Sequence, residues 1–230
     1  MLKYVCNSWH ALKVCFGNEI GTMARTLGVD GHEVMDLFML DAKQNLSGMY
    51  LKPGYAYGGS CLPKDVRGLL YQAHKADFPA PLLSSIPISN EYHLAEGYRL
   101  ISSFGKRKIG MLGLAFKGGT DDLRESPLVR LAETLIGKGH DLVIFDKSVN
   151  IARIVGSNKA YIEREIPHIG RLFVSSIEDV VTHADVLVIG NSEPEYFSAI
   201  RDLKDREIVD LVRAVTYPSL MGKNYHGICW

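Results

Sequence analysis

The sequence predicts an α/β protein in two parts, an all-helical domain over residues 1–104 followed by a doubly wound parallel-sheet domain over residues 105–230. Three observations carry this reading. Apolar residues in the first half recur at three- and four-residue spacing, the period of an amphipathic helix. Past Gly105, short apolar runs alternate with helical patterns, as they do where helices wrap a parallel sheet. With 230 residues and 47% hydrophobic content, the chain can bury a real core in one or two domains.

Over residues 2–27, Val5, Trp9, Leu12, Phe16, Ile20, Met23, Ala24 and Leu27 keep the helical period. Gly28 serves as the stop, and Asp30 opens a second helix running to about residue 40. The stretch 45–60, rich in Gly and Tyr, reads as an ordered loop. Helices are expected at 62–76 and 81–104. In the second half an apolar strand starts at Lys108, and a helix over 126–138 ends at Gly139. Further strands are expected at 141–145, 171–175, 186–189 and 207–209.

The 26 basic residues balance 26 acidic ones, which leaves no electrostatic footprint for nucleic acid or an anionic membrane. No apolar run of about 18 residues appears, and Lys3, Asn7, His10 and Lys13 stand where a signal-peptide core would be. A cytoplasmic protein with small-molecule or protein partners is expected. Cys6 and Cys15 fall on one helix about 13 Å apart by helical rise, beyond disulfide reach.

The segment Gly58-Gly59-Ser60-Cys61-Leu62-Pro63-Lys64-Asp65 delivers a thiol onto a helix start. Its glycines allow close backbone approach, and Pro63 suits the first helical turn. There the unpaired N–H groups, the helix dipole and Lys64 favour a thiolate on Cys61. The alternative is a cysteine acting as a small buried hydrophobe. Lys3, Asn7 and His10, at i, i+4 and i+7, share one helix face beside Cys6. That face is either water-facing surface, or a Lys and an Asn that bracket a reacting oxygen. Asn18 returns nearly to the same face but lies about 22 Å from Lys3 along the axis. It would therefore serve another part of a long ligand or a partner subunit's site.

In the second half the dinucleotide fingerprint G-x-G-x-x-G is absent from the turn after Gly113. Asp146 ends the second strand, where an acid can bind ribose hydroxyls, but it lies beyond the usual spacing of about 20 residues. A solvated loop is the other reading of that residue. The stretch 117–127 carries Lys117, Thr120, Asp121, Asp122, Arg124 and Glu125 just outside the carboxyl end of a strand, where open α/β sheets bind ligands. Lys and Arg there suit phosphate, although a charged loop is ordinarily only solvated.

With these residues assembled, the chain resembles the UDP-glucose/GDP-mannose 6-dehydrogenase family. The matching segments are Lys3-Tyr4-Val5-Cys6-Asn7, Trp9-His10, Asn18-Glu19-Ile20, Tyr55 through Asp65, Gly113-Leu114-Ala115-Phe116-Lys117 and Thr120 through Pro127. The resemblance implies a helical dimerisation domain carrying the catalytic cysteine, then a Rossmann-like sugar-nucleotide domain. It also implies two hydride transfers from the C6 hydroxyl of a nucleotide sugar to NAD, ending in a uronic acid. By the same match Cys61 is the nucleophile, Lys3 and Asn7 stabilise the oxyanion or position water, and Asp65 assists proton transfer. Substrate binding carries over to His10, Asn18, Tyr50, Lys52, Tyr55, Gly58 and Lys117, and NAD contact to Lys64 and Arg124. No residue carries over as a metal ligand. A homodimer or larger assembly is implied through the first long helix, with Asn18 reaching the partner's site.

Softer similarity, including Leu62 and the terminal segment, favours a GDP-sugar, GDP-mannose, and hence alginate-type polysaccharide synthesis. UDP-glucose is the alternative substrate. Met49 and Lys52 depart from the aromatic residue and the Arg expected near the base and sugar. Two other classes remain: a non-catalytic sugar-nucleotide-binding module, and a hydroxyacid dehydrogenase that leaves the 58–65 motif unexplained. The family's N-terminal NAD-binding domain and its catalytic glutamate have no counterpart in these residues, so the chain is expected to be part of a larger enzyme, inactive alone. NADH formation from GDP-mannose and NAD by the purified 230-residue chain would contradict that expectation.

Overall fold

One long helix, α1 (Leu2–Thr26), organises the first unit of the fold. The computed structural model describes residues 1–44, 47–105, 107–149, 156–165, 167–201, 203–215 and 221–230. Two units emerge, Met1–Glu96 with Ile228–Trp230, and Gly97–Gly227. Among the described residues no helix is long and apolar enough to cross a membrane.

In the first unit α1 is followed by α2 (Gly31–Phe38), α3 (Leu62–Lys75) and the start of α4 (Pro81–Ser102). The Asp30 side chain caps α2 by accepting from the His32 N–H at 2.8 Å. An amphipathic helix ordinarily turns its apolar stripe to its own core. Here α1 does the reverse: Val5, Trp9, Phe16, Met23 and Leu27 are exposed, whereas Ser8, Ala11, Cys15, Asn18, Gly21 and Thr22 are buried. Small residues on the inner face let other backbones come close. A Cβ on Gly31 would lie 2.5 Å from the Gly21 Cα, so α1 and α2 meet backbone to backbone. The core gathers Ala11, Cys15, Tyr57, Val66 and Ile86, with Leu12, Leu62, Leu70 and Leu83 packed against them.

The second unit holds a five-stranded sheet, β1 (Lys108–Leu112), β2 (Asp141–Phe145), β3 (Val186–Ile189), β4 (Glu207–Asp210) and β5 (Tyr225–Gly227), in the order β2-β1-β3-β4-β5. Every pairing is parallel, with Ile109 opposite Leu142 and Val186. β3 is buried along its whole length, as parallel strands covered on both faces are. The helices of this unit are α5 (Pro127–Gly137), α6 (Gly156–Glu165), α7 (Ile177–His183) and α8 (Pro194–Ile200). Ser126 caps α5, and Ser176 with Asp179 forms a capping box on α7. The α/β class with a parallel sheet is as the sequence predicts.

Four expectations change. Residues 171–175 form no strand: a 3-10 turn, Ile169–Leu172, leads into a single bridge between Ile144 and Phe173. β5 went unforeseen, because three residues containing a histidine carry little strand signal. The division falls inside α4 and not at its end, because Ile101 is fully buried and Phe104 packs its ring on His226 in the sheet unit. Ile228–Trp230 joins the first unit, where the Gly31 N–H donates to the Cys229 carbonyl at 3.1 Å and Trp230 meets His32 edge to face.

Asp146 neither binds ribose from an open cleft nor sits in a solvated loop. It is 5% exposed and accepts from the N–H groups of Leu114, Ala115 and Ser148 at 2.7, 3.0 and 2.9 Å. The turn after β1 thus spends its amides on the protein's own carboxylate. Asp210 does the same after β4, accepting from Val212, Ala214 and the Tyr225 hydroxyl. Asp146→Ala takes the acceptor from the buried Leu114 and Ala115 N–H groups, among others, and is expected to cost about 3 kcal/mol. Urea unfolding of the variant checks this, and a loss under about 1 kcal/mol would show that water replaces the carboxylate.

Candidate functional site

Cys61 stands immediately before α3, with Pro63 in the first turn. Gly59 reaches φ +80°, a value that an L side chain resists, and this turns the chain into the helix. The Asp65 N–H donates to the Cys61 carbonyl at 2.9 Å, so Cys61 and Asp65 lie one turn apart on one face. Cys61 is exposed, with Ser60 Oγ 3.8 Å from its sulfur.

Asp65 is fully buried, and α1 supplies its partners. Asn7 Nδ2 donates to Oδ2 at 2.5 Å, and Lys3 Nζ lies 3.6 Å from the same oxygen. Oδ1 is buried with no hydrogen-bond partner among the described residues. The structure therefore joins Lys3, Asn7 and Asp65 in one cluster, a turn along α3 from the Cys61 thiol. A buried carboxyl oxygen without a partner among the described residues can accept from a further donor.

Farther along α1, His10 stacks on Tyr50 with ring centroids 4.6 Å apart. Tyr50 takes φ +68°, an unusual backbone state for a tyrosine. Lys52 lies on the surface, 3.8 Å from Asp36. Asn18 is 1% exposed: its Oδ1 accepts from Gly54 N at 3.0 Å and its Nδ2 donates to the Tyr55 carbonyl at 3.2 Å. That carboxamide fixes a turn of its own chain. Tyr55 is buried and donates its hydroxyl to the Leu94 carbonyl at 3.1 Å. Gly58 is half-buried two residues before Ser60, and Lys64 is exposed on α3.

In the second unit, Lys117 lines a cleft of about 590 Å³ with Phe116, Gly119, Asn191 and Glu193. It opens past the carboxyl ends of β1 and β3, where the strand order reverses and open α/β sheets receive ligands. Glu193 Oε1 accepts from Gly119 N at 2.8 Å. Asn191 is 4% exposed, and its Oδ1 has no partner among the described residues. Sequence reasoning missed both side chains; their place after β3, at the switch point, is the signal that marks them. Arg124 makes a bidentate pair with Asp122, at 2.8 and 2.7 Å, which lowers the Asp122 pKa through the hydrogen bonds from Arg124. The guanidinium thereby shapes the loop, which Asn158 also holds by accepting from Leu123 N and donating to the Asp121 carbonyl.

Two family models of the UDP-glucose/GDP-mannose dehydrogenase family match the chain, the central domain over residues 1–92 and the UDP binding domain over residues 110–216. The chain belongs to the UDP-glucose/GDP-mannose dehydrogenase family. Similar members of the family include the GDP-mannose 6-dehydrogenases of Pseudomonas aeruginosa, 51% identical, and of Azotobacter vinelandii, 50% identical; each match takes in 100% of this chain and 52% of the relative. The chain spans about half the length of the curated relatives it matches. A crystal structure of a ternary complex of the P. aeruginosa GDP-mannose dehydrogenase superposes with a TM-score of 0.74, covering 100% of this chain and 52% of that one. A UDP-glucose dehydrogenase from Pyrobaculum islandicum, 27% identical, superposes at 0.83 over 100% of this chain and 50% of its own.

The four thiols of this family member differ in access. Burial pushes Cys15 up to about 11 and Cys229 up to about 12, so neither ionises near neutral pH. A disulfide-exchange reagent at pH 8 is expected to label the exposed Cys6 and Cys61 in the folded chain and to reach Cys15 and Cys229 only after unfolding. Peptide mapping checks this, and native labelling of Cys15 at the rate of Cys61 would show that the α1 core opens.

Proposed function

We propose that the chain is the thiol-bearing and nucleotide-binding part of an NAD-dependent nucleotide-sugar 6-dehydrogenase that oxidises GDP-mannose to GDP-mannuronate, for alginate-type polysaccharide synthesis. One observation carries the reading. The exposed Cys61 lies a turn from a buried carboxyl group that Lys3 and Asn7 hold by one oxygen while the other has no partner among the described residues. GDP-mannose is favoured over UDP-glucose by the relatives, about half identical for GDP-mannose 6-dehydrogenases against 28% for a UDP-glucose 6-dehydrogenase of Haloferax volcanii.

The chemistry begins at the sugar's C6, which becomes an aldehyde by losing a hydride from carbon and a proton from its hydroxyl. The Cys61 sulfur adds to the aldehyde carbon, and the oxygen takes up negative charge on the way to a thiohemiacetal. Lys3 supplies charge and Asn7 an amide donor to that oxygen. Loss of a second hydride from that carbon, together with the hydroxyl proton, gives a thioester. Water, held through Asp65, hydrolyses it to the uronate and restores the thiol. Splitting a four-electron oxidation at a covalent sulfur intermediate keeps the aldehyde on the enzyme.

NAD supplies the hydride acceptor when bound. The described residues offer it charge but no cradle: Lys64 is exposed on α3, Arg124 is paired with Asp122, and the turn after β1 has its amides on Asp146. Lys117, at the cleft after β1, suits the substrate diphosphate. His10 and Tyr50, stacked, offer a flat surface with polar edges to the sugar nucleotide. The exposed apolar stripe of α1, with Val5, Trp9, Phe16 and Met23 spaced for one helix face, supports homodimerisation along that helix.

In the complete enzyme, Cys61→Ser is expected to lower GDP-mannuronate formation by on the order of 10³-fold or more. Lys117→Ala should raise the KM for GDP-mannose with a smaller change in kcat. Steady-state kinetics with product analysis separates the two, and a Cys61→Ser enzyme that still makes uronate at the parent rate would remove the thiol from the mechanism.

A further inference from the structure

The segment that leads to Cys61 has no helix or strand of its own, although Tyr55, Ala56 and Tyr57 are buried. Buried backbone groups need partners, and no ladder is there to provide them. Side chains of α1 and α4 take that place. Asn90, 8% exposed, accepts from the Tyr57 N–H at 2.9 Å and donates to the Tyr57 carbonyl at 3.1 Å, as a neighbouring strand would. His93 is 3% exposed and one turn further along α4. Its Nε2 lies 2.7 Å from the Gly54 carbonyl, which can only accept, so Nε2 carries the proton. Nδ1, 3.3 Å from Thr22 Oγ1, then accepts from the hydroxyl. Burial holds the His93 pKa below its ordinary value and so keeps the neutral ring that this arrangement requires.

Between Tyr57 and Cys61 come only Gly58, Gly59 and Ser60. Two glycines give that link wide conformational freedom, so the thiol's position depends on what anchors the chain just before it. Tyr57 is that anchor, and Asn90 holds both of its backbone polar groups.

We infer that Asn90 and His93 are positioning residues for Cys61, clamping residues 54–57 so that the thiol meets the C6 aldehyde before it escapes. The inference rests on the function proposed above. Neither side chain touches the reacting atoms; they act through the backbone of Gly54 and Tyr57. A misplacement of about 1 Å is enough to cost on the order of 100-fold in rate. A thiol out of place also has a chemical consequence: the first oxidation proceeds, and aldehyde leaves before capture.

The complete enzyme carrying Asn90→Ala, His93→Leu or His93→Gln tests it, with NADH, uronate and hydroxylamine-trapped aldehyde measured together. The parent gives two NADH per uronate. Asn90→Ala and His93→Leu are expected to exceed that ratio and release trappable aldehyde, with kcat down about 100-fold. His93→Gln keeps an N–H for the Gly54 carbonyl and should recover most of the rate. Loss of rate at an unchanged ratio, with His93→Gln no better than His93→Leu, would mean that the residues only stabilise the fold and would overturn the inference. A parent that makes no uronate refutes the proposed function instead. Deuterium exchange on the 230-residue chain tests the clamp without catalysis. The Tyr57 amide should exchange about tenfold faster in Asn90→Ala, and an unchanged rate overturns the clamp.

Discussion

The buried carboxyl group of Asp65 is the constraint around which the first unit is arranged. Taking a charged side chain out of water costs several kcal/mol unless partners meet it. The partners come from α1, where Asn7 donates to Oδ2 and Lys3 approaches the same oxygen. α1 and α3 must therefore pack with their amino-terminal turns in register. That register sets Asp65, one turn after Cys61 on α3, against the Lys3 and Asn7 face. Packing is thus tied to the site at one residue: the buried Asp65 carboxyl also orders Lys3 and Asn7, one turn from Cys61.

Away from that site the protein solves a related problem with one repeated device. Loops that must be buried find their hydrogen bonds on carboxylates and carboxamides sent from neighbouring elements. Asp146 receives the amides of the turn after β1, and Asp210 those of the turn after β4. Asn18 and Asn90 do the same for the chain that runs toward Cys61. Each is a polar side chain at least nine-tenths buried, and each trades its own desolvation for backbone groups that would otherwise be orphaned. Loops held this way can carry side chains with the regularity of a helix or strand.

How legible this was depends on range along the chain. The Cys61 turn was readable because its chemistry is local: glycines, Pro63 and Asp65 lie within eight residues. Lys3 and Asn7 shared a face by helical spacing alone. The direction of α1's apolar stripe was not readable, since periodicity says that Trp9 and Phe16 share a face but not what covers it. Asp146 was misjudged for a similar reason, because a carboxylate at a strand end looks the same whether it binds a ribose or its own backbone. Asn90 and His93 left no signal beyond two polar residues within an apolar helical period.

The sequence by itself determined most of the helices, the first strands of the parallel sheet and the family, because periodicities, caps and contiguous motifs are properties of neighbouring residues. The family motif also picked out the thiol. Tertiary structure alone decided that Asp65 is buried with one oxygen lacking a partner among the described residues, that Asn18 bonds Gly54 and Tyr55, and that the three C-terminal residues belong with the first unit. Those outcomes depend on which groups lose water together. Desolvation is set by residues distant in sequence, and no local pattern encodes it.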